Sequence, residues 1–82
     1  MIRFTDETKA TLLNNEMVKT AIDTLYTIHE DEFENIFNGI GVDVKQLDDD
    51  DFTEYHNELA GLLAENTGEH WFWDEYGIGV TD

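Results

Sequence analysis

With 82 residues, 20 acidic side chains against 4 basic ones and a net charge of −16, the chain has room for one small domain and holds about one uncompensated negative charge per five residues. Such a field repels nucleic acid and anionic membranes and attracts basic protein surfaces, so direct binding of DNA or RNA is the function the composition argues against most firmly. Cysteine, serine and proline are absent, which removes disulfides, thiolate metal sites and the commonest catalytic nucleophiles.

Leu, Ile, Val and Phe make up 22 of the 82 residues, above the roughly 20% below which a highly charged chain stays disordered, so a folded core is expected. Near the start, Ile2 and Phe4 alternate and predict a short edge strand. Thr5 or Asp6 then caps a helix carrying Leu12 and Leu13, and Asn14-Asn15 either ends that helix or caps the next. From Glu16 to about His29, Met17, Val18, Ala21, Ile22, Leu25 and Ile28 share one helical face. An unbroken helix to Asn38 would set Glu32 in that face, so a kink or restart is expected at residues 29–31, with Asp31 and Glu34 in capping-box spacing. Phe33, Ile36, Phe37 and Ile40 continue the core until Gly39 or Gly41 stops the helix.

"GVDVKQL" reads as an extended connector. Asp51 and Glu54 repeat the capping-box spacing, and Phe52, Tyr55, Leu59, Leu62 and Leu63 mark a helix ending near Asn66-Thr67-Gly68. The alternating aromatics of "HWFWDEYGIGV", with "DEYG" as a turn, predict a hairpin. The expected fold is therefore one α+β domain over residues 1–82, mainly helical, with three to four helices and a small C-terminal β-hairpin. No signal peptide or membrane span is expected from the hydropathy of the sequence.

The charge is uneven. Residues 1–45 hold 9 acids and all four basic residues, whereas residues 46–82 hold 11 acids and neither lysine nor arginine. On the helix beginning near Asp51, taking Phe52 as zero, Asp51, Glu54, Glu58 and Glu65 fall between about 200° and 260°, a ridge beside the core face. Their axial spacings, roughly 4.5, 6 and 10.5 Å, are of the order of the phosphate spacing along nucleic acid, about 3.4 Å per strand. Glu16, Asp23, Glu30 and Glu34 form a second line if residues 16–34 are one helix. An acidic helix face is ordinarily a solvated one, and acids in a first turn complement the helix dipole, so Asp48, Asp49, Asp50 and Asp51 have a capping role open to them as well. The missing counter-charges favour a partner surface made of Asp48–Asp51, Glu54, Glu58 and Glu65 with Glu30 and Glu34.

Other chemistry is thinly represented. "DVKQLDDDDFTE" lacks the central glycine of a calcium-binding EF-hand loop, and "HEDEF" lacks the second histidine of HExxH, so no metal or other cofactor is expected. "GIG" is too short for a phosphate-binding loop, and an acyl-carrier role needs a serine. No enzyme activity is expected. Among the C-terminal aromatics, Trp71 and Trp73 are expected to cover the core, leaving Phe72 beside Asp74 and Glu75 as an interface anchor.

Taken together, "LDDDDFTEYHNEL", "HEDEFENIF" and "WFWDEY" resemble the DNA-mimic inhibitors of phages and mobile elements, the anti-restriction and anti-CRISPR type. The resemblance is one of composition along the whole chain, and the class has no common motif that would assign residues. It implies a basic nucleic-acid-binding protein or complex as partner, no contact with nucleic acid or membrane, and action in the cytoplasm of a bacterial host cell. An immunity protein or antitoxin against a basic nuclease toxin is the alternative, followed by a domain whose charge serves solubility alone.

Overall fold

The computed structural model describes residues 3–69, Trp71 and Trp73, the side chain of Glu30 excepted. Helix α1 spans Asp6–Leu13 and starts where Thr5, in extended backbone, accepts the Thr8 N–H at 3.1 Å. Asn14 closes it. Asn15 opens α2, Glu16–Thr24, by accepting the N–H groups of Met17 and Val18 at 2.8 and 3.3 Å, so each asparagine serves one side of the boundary. Helix α3 is Glu30–Asn38, a short 3-10 turn covers Val44–Gln46, and α4 is Asp49–Thr67. Helix α2 packs against α1, α3 and α4, and α3 packs against the 3-10 turn.

The periodic apolar positions build the core. Val18 and Ala21 of α2, Phe33, Ile36 and Phe37 of α3, and Leu59, Leu62 and Leu63 of α4 are buried. Phe4 is buried too, but in irregular backbone: its N–H donates to Glu58 Oε1 at 3.0 Å, and its ring lies 6.2 Å from Tyr55 and 6.5 Å from Phe37. The expected edge strand is thus replaced at Phe4 by an anchored segment, while Ile2 lies outside the described residues.

The α+β expectation is overturned: 72% of the described residues are helical and none forms a strand. Where the first hairpin strand was expected, Trp71 and Trp73 are helical, and the Trp73 N–H donates to the Glu69 carbonyl at 3.3 Å. Residues two apart share a face on a strand but point to different sides of a helix. Accordingly Trp73 is fully buried while Trp71 is 59% exposed, against the expectation that both cover the core. The indole N–H of Trp73 donates to Thr67 Oγ1 at 2.8 Å, a hydroxyl that itself donates to the Leu63 carbonyl at 2.8 Å. The expected "DEYG" turn and second hairpin strand lie outside the described residues.

The helix expected to reach His29 stops at Thr24, because Leu25 takes the left-handed conformation with φ 54°. That costs a non-glycine residue about 1 kcal/mol. Continuing the helix would bring Glu32 into the apolar face, and burying an uncompensated carboxylate costs several kcal/mol. The turn is the cheaper solution, and it leaves Ile28 fully buried. Two caps also differ from expectation. Helix α3 starts after His29 with no side-chain cap, so Asp31 is inside the helix, and α4 is capped by Asp48 instead of Asp51. Gly68 ends α4 with φ 76°, a conformation glycine takes without penalty.

Thr67→Val, which keeps the shape but removes the acceptor for the Trp73 indole, is expected to lower unfolding stability by about 1–3 kcal/mol. Thr67→Ser is expected to retain most of it, as measured by urea denaturation of the two variants.

Candidate partner-binding surface

Helices α3 and α4 open in the same way. Three acids and a phenylalanine fill the first four helical positions, Glu30-Asp31-Glu32-Phe33 in one and Asp49-Asp50-Asp51-Phe52 in the other. Each is preceded, one residue before the cap, by an aliphatic side chain, Ile28 and Leu47, which gives both the spacing of a hydrophobic staple. The two phenylalanines meet with ring centroids 5.5 Å apart and planes inclined at 58°. That contact sets two acidic first turns beside each other.

Between them lies an open cleft of about 380 Å³. Phe33, Phe52, Val44 and Leu47 give it apolar walls, and Asp31, Glu34 and Asp49 line it with carboxylates. Lys45 reaches in from the 3-10 turn, its Nζ 3.4 Å from Glu34 Oε1. The pair is largely exposed, so it contributes under about 1 kcal/mol and leaves the cleft net negative. A concavity with an apolar floor and several carboxylates suits the long stem and charged head of lysine or arginine.

The residues singled out from the sequence do not all converge here. Asp48 Oδ1 accepts the Asp51 N–H at 2.8 Å and is the cap of α4, while Asp49 and Asp50 are exposed. Asp51, Glu54 and Glu58 are half-buried, as a ridge beside the core face should be. The ridge is interrupted, however, because Glu58 is taken up by the Phe4 backbone, and Glu65 sits 3.8 Å from Lys9 Nζ. Asp49 and Glu65 are about 24 Å apart along the helix axis. The second line, Glu16, Asp23, Glu30 and Glu34, is broken by the turn at Leu25, and Glu34 belongs to the cleft instead. Glu30 occupies the first position of α3. Phe72, Asp74 and Glu75 lie outside the described residues.

Asp31, Leu47 and the floor formed by Phe33 and Phe52 were not expected in the site. The signal was present in the sequence as the repeated pattern of three acids followed by phenylalanine, "EDEF" and "DDDF". Each copy reads locally as a helix start, and only the ring contact joins them.

No family model, curated protein or solved structure matches the chain. Among the described residues no helix is long and apolar enough to cross a membrane.

If Asp48 is a cap and Asp50 part of the charged surface, the two should separate in stability. Asp48→Ala is expected to cost about 1 kcal/mol, whereas Asp50→Asn should stay within about 0.5 kcal/mol of the parent. Chemical denaturation at fixed ionic strength measures both.

Proposed function

We propose that the protein is an acidic inhibitor of the DNA-mimic kind, which occupies the nucleic-acid-binding surface of a basic defence or DNA-processing protein in the cytoplasm of a bacterial host. The observation that carries this reading is the cleft, where carboxylates of two helices surround an apolar floor. Helix α4 adds to it six acidic residues in 19, with no lysine or arginine. A basic channel built for phosphates would meet carboxylates in their place, and the attraction would weaken as salt screens it.

Charge alone gives fast encounter but weak discrimination, since exposed ion pairs are individually worth under about 1 kcal/mol. The half-buried Phe52, Val44 and Leu47 supply what charge lacks. Apolar contact with the stems of the partner's basic side chains would slow dissociation and select this face over the rest of an acidic molecule. Inhibition on this reading is by occupancy, with no catalysis by the acidic protein.

The test is competition on a captured partner. Unlabelled DNA or RNA and this protein are expected to exclude each other, with affinity falling as salt rises; simultaneous binding would remove the mimic reading. Changing Asp31, Glu34 and Asp49 together to Asn, Gln and Asn should weaken binding by about tenfold or more, with faster dissociation. Changing Glu7, Asp23 and Glu65 to Gln, Asn and Gln removes the same charge elsewhere and should alter mainly the association rate.

A further inference from the structure

On the other side of the α3 start is a second concavity, of about 230 Å³, lined by Glu16, Met17, Thr20, Tyr26 and Glu32. Thr20 lies about 40° round α2 from Glu16, toward Met17, so the three share one face. The left-handed turn at Leu25 ends α2 there and leaves Tyr26 45% exposed. The His29 ring lies beside it in a T-shaped arrangement, with centroids 6.0 Å apart and planes at 73°. Met17 packs inward against the core from the same place.

We propose that this pocket binds an arginine side chain of a partner protein. The aromatic face of Tyr26 and the thioether of Met17 offer surface to a guanidinium plane and its methylene stem, and the carboxylates of Glu16 and Glu32 offer acceptors for its forked donors. The ion pairs seen among the described residues, Lys9–Glu65 and Lys45–Glu34, use neither glutamate. Lys19, three residues after Glu16, is rotated about 60° from it in the direction away from Thr20 and Met17. A neutral apolar side chain would make no use of the two carboxylates, and a lysine would forgo the planar stacking. Complementarity of both charge and shape therefore points to arginine.

The inference does not depend on nucleic-acid mimicry, and its test needs no natural partner, so the two can fail separately. The full chain is titrated with the blocked peptide acetyl-Gly-Arg-Gly-amide while the Met17 methyl, Thr20 and Tyr26 ring signals are followed by NMR. The matching lysine peptide and the citrulline peptide, which keeps the shape of arginine without its charge, serve as comparisons. Saturable shifts confined to this pocket are expected from the arginine peptide, with the citrulline peptide weaker by about tenfold. Tyr26→Ala should weaken binding by about threefold while Tyr26→Phe retains it, and Glu16→Gln with Glu32→Gln should weaken it at unchanged fold. Shifts spread over all the carboxylates, or equal binding of the lysine or citrulline peptide, would overturn the assignment.

Discussion

The contact between Phe33 and Phe52 decides how this molecule uses its charge. Each ring sits in the second turn of a helix whose first turn is acidic, and their approach to 5.5 Å brings the two starts together despite like charge. Three effects make this possible. An aromatic pair contributes about 0.5–1.5 kcal/mol beyond burial, the partial positive charge at each helix start offsets part of the acidity, and Asp31, Asp49 and Asp50 remain exposed to water. Phe33 also contacts Phe37, at 5.6 Å, and Phe37 contacts Tyr55, at 5.3 Å. The cleft therefore rests on the aromatic centre of the core and not on loops.

The same aromatic group fixes the other end of the surface. Phe4 packs at a tilt against Tyr55 and Phe37 and directs its backbone N–H to Glu58, which makes one member of an apparent acidic ridge a hydrogen-bond acceptor for the chain's own backbone. Glu58 keeps its charge, but one of its oxygens is committed to the chain's own backbone, and Glu65 is paired with Lys9, so both are less open to a partner than the exposed acids at the helix starts. The turn at Leu25 acts in the same sense, since it divides what would be a second acidic line and moves Glu34 into the cleft.

Much of the helical frame was legible from the residues. The apolar periodicity of α2, α3 and α4 and the stop at Gly68 follow from local chemistry that the sequence displays, and the structure decides between Thr5 and Asp6 and assigns Asn15 as the cap of α2. The errors came where packing outweighed a local signal. Nothing in "DTLYT" announces a left-handed leucine, because glycine or asparagine is the usual mark of that conformation; the periodicity asks for Ile28 in the core and Glu32 out of it, as found, but places the break at residues 29–31 instead of Leu25 and sets Leu25, which is 40% exposed, on the core face. Likewise the "WFW" alternation has the period of a strand, but Trp73 is placed by its bond to Thr67 and its fit in the core, which a helical turn satisfies. For the site, the acids were visible and their grouping was not: α3 and α4 are separated by a ten-residue connection, and the ring contact across it cannot be read from spacing.

If the ring contact holds two mutually repelling helix starts together, the two rings must be energetically coupled and the coupling must be tied to charge. A double-mutant cycle with Phe33→Leu and Phe52→Leu, measured by urea denaturation at low and at physiological salt, tests this directly. The account predicts a coupling of about 0.5–1.5 kcal/mol, together with a smaller gain of stability on adding salt in the double variant, whose helix starts are free to separate. Additive losses with an unchanged salt response would contradict it.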